Sequence, residues 1–184
     1  MRLNTAPRHD GPVVLVGLMG SGKTTVGRLV AERTGRRFID TDDAIQDLTG
    51  QTVRELWEHG GESAYRRLES QVVLDGLDSG DGAHVVIAAP GGAVLDPQVR
   101  AALAEPGVFV VWLHADPDLI AGRVHPGDHR PLLGDHPAGV LRRMEAERAS
   151  IYSGVADAVV DVGTKTPVIV AGEVVALIAS TGSG

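Results

Sequence analysis

Five short runs rich in apolar residues punctuate the chain: Val13–Gly17, Arg37–Asp40, His84–Ala89, Val108–Ala115 and Ala158–Val162. Most are apolar throughout rather than alternating, the pattern of strands covered on both faces in a parallel sheet. Between them, apolar spacing predicts helices over Lys23–Thr34, Asp43–Leu48, Val53–Glu58, Ser63–Leu77, Pro97–Ala104, Pro117–Arg123, Ala138–Tyr152 and Pro167–Ser180. Strands and helices in alternation predict an α/β fold with right-handed crossovers. No repeat, low-complexity tract or linker divides the 184 residues, enough for one domain with its own core. Residues 1–11 and 180–184 are expected to be flexible tails. The stretch HPGDHRPLLGDHPAG, His125–Gly139, breaks the layered pattern. A loop this long inside a compact domain reads as a lid, spanning about 124–139.

Composition narrows the partners. Aromatic residues make up 3% of the chain, so the core is aliphatic and few platforms exist for stacking bases. A net charge of −7 argues against nucleic acid or an anionic membrane as partner. It leaves open a small anion held in a locally basic cleft. There are no cysteines, which removes disulfides, thiolate metal sites and cysteine nucleophiles together and is compatible with a cytoplasmic enzyme. The opening MRLNTAPRHDG lacks the apolar core of a secretory signal, and the apolar stretches are too short to span a bilayer.

The chemistry starts in VGLMGSGKTT, Val16–Thr25. Gly17-x-x-x-x-Gly22-Lys23-Thr24 is a complete phosphate-binding loop between a predicted strand and a predicted helix. Glycines let the backbone wrap so that its N–H groups face phosphate oxygens, and a helix N-terminus favours an anion. Gly20, Ser21, Gly22, Lys23, Thr24 and Thr25 are the candidate nucleotide ligands, with Lys23 on the β- and γ-phosphates and Thr24 on Mg²⁺. The phosphate is therefore that of a nucleoside triphosphate, read as ATP. The loop alone fits a kinase, an ATPase or a GTPase.

Other signals lie downstream. The second strand ends in Asp40-Thr41-Asp42-Asp43, and ligands of open α/β sheets sit beyond the carboxyl ends of strands. One carboxylate can serve Mg²⁺ while another faces an acceptor hydroxyl; Asp43 is expected only to cap a helix. Arg66 and Glu69 share a helix face, as an ion-pair ladder or as part of a site. Gly91 and Gly92 follow the third strand directly, letting backbone approach a ligand closely. Arg148 and Tyr152 lie one turn apart late in a helix.

Taken in order, GLMGSGKTTVGR, FIDTDDAI, GESAYRRLE, PGGAVL, RPLL and ERASIY resemble shikimate kinase over about Val13 to Ile178. The resemblance implies a three-layer αβα P-loop kinase fold with a five-stranded parallel sheet and a mobile lid. It implies ATP with Mg²⁺ and phosphoryl transfer to a shikimate hydroxyl by a monomer. It places Asp42 at the acceptor hydroxyl as orienter or base, and Asp40 near Mg²⁺ through water. Arg66 and Arg148 match the arginines that hold the substrate carboxylate, a task suited to planar guanidinium forks. Gly91 and Gly92 match substrate-facing backbone. Arg130 matches the lid arginine over the transferring phosphate, making Lys23, Asp42 and Arg130 the catalytic set. Arg123 and Lys165 match basic side chains around adenine. The chain departs from the family pattern in Pro90, which replaces the first of three glycines. Tyr65 stands for phenylalanine, Trp57 for a smaller aromatic and Ser150 for proline. Pro90 keeps a kinase for gluconate or a cyclitol as an alternative. A nucleotide-binding module without turnover and a metal site on His125, His129 and His136 are two more distant alternatives.

Overall fold

The computed structural model describes residues 9–78, 84–122 and 136–181. Strands β1 (Val13–Val16), β2 (Arg37–Asp40), β3 (Val85–Ala88), β4 (Phe109–His114) and β5 (Ala158–Asp161) form one parallel sheet in the order β2-β3-β1-β4-β5. The helices are α1 (Lys23–Thr34), α2 (Thr41–Thr49), α3 (Val53–Asp78), α4 (Pro97–Leu103), α5 (Pro117–Ala121), α6 (Pro137–Val155) and α7 (Pro167–Ser180). This is the expected three-layer arrangement. Helices α1 and α7 pack together, α1 over β1, β2 and β3 and α7 beside β5, while α3, α4 and α6 meet around the 3₁₀ turn Ala93–Leu95.

Position in the sheet explains which strands read plainly. Every residue of β1 and β3 is buried, so both consist of Val, Ile, Leu and Ala with no polar position to tolerate. The edge strands β2 and β5 are half-open and carry Arg37, Asp40 and Asp161. Register then sets the site. Leu15 pairs with Ala88, and Asp40 pairs with the same Ala88. The carboxyl ends of β1, β2 and β3 therefore reach one level, and the loops leaving them converge.

The structure shifts several expected boundaries. Helix α2 starts at Thr41 because Asp40, not Asp43, is its cap: the Asp40 carboxylate accepts from the Asp42 N–H at 3.0 Å. Asp43 instead pairs with Arg28 at 3.1 Å on the surface. Residues 9–11, expected to be loose, are tied down: the Arg36 guanidinium donates to the carbonyls of His9 and Gly11, and His9 N–H donates to the Ile178 carbonyl. Helix α6 begins at Pro137, with His136 as its N-cap, inside the expected lid; residues 124–135 of that lid, with His125, His129 and Arg130, and Arg123 just before it, lie outside the described residues.

Helix α3 is two arms joined at Gly61, where φ 68° and ψ 179° interrupt the helical conformation. The sequence pattern predicts the same two arms. The break aims the second arm, with Tyr65, Arg66 and Glu69, at the converging loops. Those angles belong to a region essentially restricted to glycine. A Cβ at Gly61 would meet nothing within 4 Å, so the cost of adding one is purely conformational. Gly61→Ala is expected to lower stability in urea unfolding by about 1–3 kcal/mol. Gly154→Ala, in α6 and equally uncrowded, is expected to raise it by up to about 1 kcal/mol. Changes of the same sign would contradict the assignment of strain to Gly61.

Candidate active site

The loop after β1 is shaped by three glycines at positive φ: Gly17 at 142°, Gly20 at 82° and Gly22 at 88°. Gly22 is also the N-cap of α1, with no side-chain cap and no acidic residue in the first turn. The first N–H groups of a twelve-residue helix are thus left for an anion to satisfy. The Lys23 ammonium lies within the loop, donating to the Gly17 and Leu18 carbonyls at 2.9 and 2.8 Å. Ser21 Oγ is buried and has no partner among the described residues, a polar atom that a phosphate oxygen would satisfy.

The end of β2 meets this loop directly. Thr24 Oγ1 donates to Asp40 Oδ2 at 2.6 Å, while the other oxygen of Asp40 caps α2. The carboxylate therefore cannot turn away from the phosphate loop without uncapping a helix. A hydroxyl and a carboxylate are hard oxygen donors of the kind Mg²⁺ prefers. Among the described residues no cluster of three His, Cys, Asp or Glu could hold a metal by itself, so such an ion would complete its shell with phosphate and water. Asp42, in the first turn of α2 and exposed, accepts from the Tyr65 hydroxyl at 2.9 Å. Burial holds the Tyr65 phenol well above its usual pKa, with the negative charges of Glu69 and Asp42 adding to the effect.

Across the cavity sit two guanidinium groups. Arg66, on the second arm of α3, donates to Glu69 at 2.6 Å and to Glu62 at 3.4 Å. Burial alone would lower its pKa, yet the two glutamates raise it, and the group stays charged. Glu69 is 3% exposed; burial pushes its carboxyl up and Arg66 pulls it back. Arg148, on α6, is 6% exposed and donates to the Gly91 carbonyl at 3.2 Å. Its Nε is buried without a partner among the described residues. Tyr152, one turn on, donates to the same carbonyl at 2.6 Å, and burial pushes its phenol up to about 12.

Between the arginines runs Gly91-Gly92. Neither adopts positive φ; their lack of a side chain answers crowding. A Cβ on Gly92 would overlap the Arg66 guanidinium, and one on Gly91 would fall 3.0 Å from the Gly17 carbonyl and 3.4 Å from the Tyr152 hydroxyl. What the pair brings close is thus the phosphate loop and both arginine arms. Pro90 fits this turn. Its carbonyl accepts from the Ala93 N–H at 3.1 Å, and the backbone beyond it needs no left-handed residue.

One cavity of about 370 Å³ gathers most of the residues expected from sequence: Gly20, Gly22, Lys23, Thr24, Thr25, Asp40, Asp42, Arg66, Gly91, Gly92 and Arg148. Ser21 lies buried behind the loop. Lys165 does not line the cavity; its ammonium pairs with Glu173 at 2.8 Å. Arg123 and Arg130 are outside the described residues. Trp57 and Glu69 also line the cavity, without a role assigned from sequence. The sequence signal for Glu69 is its i, i+3 spacing from Arg66; Trp57 packs against Tyr65 across the Gly61 break, ring centroids 5.8 Å apart, a contact that no spacing in the sequence announces.

The family model for shikimate kinase matches residues 19–179. A shikimate kinase of Symbiobacterium thermophilum is 48% identical over 144 residues, 77% of this chain and 80% of that protein. The chain belongs to the shikimate kinase family. Among solved structures, a shikimate kinase from Acinetobacter baumannii in complex with shikimate superposes with a TM-score of 0.87 at 32% identity, covering 95% of this chain and 96% of that one. A gluconokinase from Sinorhizobium meliloti, 19% identical with a TM-score of 0.57 and 95% coverage of each chain, shares the fold alone. As a member of the shikimate kinase family the protein is a phosphotransferase that uses ATP as co-substrate. No described helix is long and apolar enough to cross a membrane.

Within this shikimate kinase site the Arg66–Glu69 pair carries a stability consequence. Removing Arg66 strands a buried carboxylate, which costs about 3–5 kcal/mol. Burial already raises the Glu69 pKa, and loss of the guanidinium raises it further. A folded-state acid above its unfolded value destabilises once pH exceeds the unfolded pKa and does so fully above the folded one. Arg66→Ala is therefore expected to lose about 3–5 kcal/mol at pH 7 and progressively less as pH falls toward about 4. Adding Glu69→Gln is expected to restore most of the loss. Urea unfolding across pH measures this; a deficit independent of pH and unrelieved by Glu69→Gln would contradict it.

Proposed function

We propose that the enzyme transfers the γ-phosphoryl group of ATP to a ring hydroxyl of shikimate, giving shikimate 3-phosphate on the route to chorismate and the aromatic amino acids. We further propose that it acts as a monomer in the cytoplasm, with Mg²⁺. The observation that carries this reading is the pair of guanidinium groups flanking Gly91-Gly92 in the cavity that holds the phosphate loop, one of them with a buried Nε lacking a partner. Such a cavity suits an acceptor bearing both a carboxylate and a hydroxyl.

Phosphoryl transfer asks for positioning and charge stabilisation more than covalent chemistry. The N–H groups of Gly20–Thr25 would hold the β- and γ-phosphates. Lys23 would exchange its two loop carbonyls for phosphate oxygens. Thr24, and Asp40 through water, would hold Mg²⁺, which neutralises phosphate charge when bound. Arg66 and Arg148 would take the acceptor carboxylate, Arg148 filling its open Nε. The Gly91-Gly92 backbone would border the bound ring, and the acceptor hydroxyl would then face Asp42, which orients it and accepts its proton. Arg130 over the transferring phosphate, and Arg123 and Lys165 beside adenine, are assigned on the family resemblance. A closed lid would keep out water, the competing acceptor.

Steady-state assays with ATP, Mg²⁺ and a panel of shikimate, gluconate and an uncharged cyclitol test the proposal. Shikimate is expected to exceed the others in kcat/KM by about a hundredfold or more, the ratio available when unpaired buried groups reject an analogue. Lys23→Ala is expected to lower kcat by about a hundredfold or more without lowering the melting temperature. Arg148→Ala is expected to raise KM for shikimate about thirtyfold or more and to leave KM for ATP within about threefold. Preference for gluconate, or equal losses for both substrates, would contradict the assignment.

A further inference from the structure

We infer that Tyr65 is a positioning residue for the transfer step: its hydroxyl locks the Asp42 carboxylate in the orientation that meets the acceptor hydroxyl. The inference rests on the reading of Asp42 as the acceptor-facing carboxylate. Asp42 is exposed near the start of α2, where its χ1 has more than one staggered well open to it. Tyr65 comes from a different element, the second arm of α3, and its hydroxyl reaches Asp42 Oδ1 at 2.9 Å.

The tyrosine itself has little freedom. It is 5% exposed, packed in a small cluster with Ile45 and Val72, with the Trp57 ring against it. Burial beside two carboxylates keeps the phenol protonated, so it is the donor and Asp42 the acceptor. Glu69, one turn further along α3, also faces this hydroxyl. Its Oε2 accepts from Arg66 at 2.6 Å, while the 2.9 Å bond of the hydroxyl is to Asp42. A rigid donor thus occupies one carboxylate oxygen and fixes the plane of the group. Alignment of this kind raises the fraction of bound complexes ready to react without adding affinity for either substrate.

Tyr65→Phe removes the hydroxyl and keeps the ring that fills the cluster. With shikimate and ATP, kcat is expected to fall about tenfold, equivalent to about 1.4 kcal/mol. Calorimetric Kd values for both substrates are expected to stay within about twofold, since the step affected follows binding. In an Asp42→Ala background the same change is expected to alter kcat by less than about twofold, because a residue acting through Asp42 has nothing left to orient. An unchanged kcat in Tyr65→Phe, a loss confined to binding, or the same tenfold loss in both backgrounds would overturn the inference. The wild-type rate judges the acceptor separately. If another acid proves to be the substrate, the proposed function fails, and the same four proteins assayed on that acid still decide the role of Tyr65.

Discussion

A guanidinium taken out of water must find an anion, and the wall of the cavity facing the phosphate loop is built around that requirement. Arg66 meets it inside the protein, through Glu69 at 2.6 Å and Glu62 at 3.4 Å. To do so it needs three concessions from the chain. Gly61 leaves the helical conformation so that the second arm of α3 points inward. Gly92 gives up a side chain so that the guanidinium has room. Glu69 accepts burial that raises its pKa. Arg148 is different: it donates to the Gly91 carbonyl and lies against the Tyr152 hydroxyl, and its Nε is buried without a partner among the described residues. One arginine is held by the protein's own charge, and the other keeps a buried donor open.

The donor side follows another strategy. It is made of backbone: three glycines at positive φ and the open N-terminus of α1, with one lysine. Partial charges from N–H groups attract phosphate while demanding no buried counter-ion in the free protein. Two contacts join the halves. Gly91 lies so near Gly17 that an added Cβ would fall 3.0 Å from its carbonyl, and Thr24 donates to Asp40. The spacing between the phosphate loop and the arginine-lined wall is therefore set by close packing at the ends of β1, β2 and β3.

Features confined to contiguous residues were legible in the sequence. The phosphate loop is one such feature, since its geometry needs only its own glycines and the flanking strand and helix. The interior strands β1, β3 and β4 are another, because burial on both faces leaves apolar residues everywhere except His114 at the half-open end of β4. The break in α3 is visible as an interruption of helical spacing around Gly60-Gly61. What escaped depends on partners far apart in the chain. That Asp40 rather than Asp43 caps α2 follows from where β2 ends in the sheet. The reason for Gly91-Gly92 was half legible: close approach of the backbone was expected from the two glycines, whereas the crowding by Arg66 and Gly17 comes from residues far away in the chain. The bond from Tyr65 to Asp42 joins two helices, and no pattern within either one announces it. Arg36, one residue before β2, holds the segment after residue 8 through backbone carbonyls, which composition alone would leave loose.

Calorimetric titration of the wild-type enzyme with shikimate and with its methyl ester addresses the carboxylate claim most directly, because the ester lacks the charge that Arg66 and Arg148 are proposed to bind. The ester is expected to bind about thirtyfold or more weakly, as a buried charge left without its partner requires, and Arg148→Ala is expected to shrink that difference. Equal affinity of acid and ester for the wild-type protein would contradict the account.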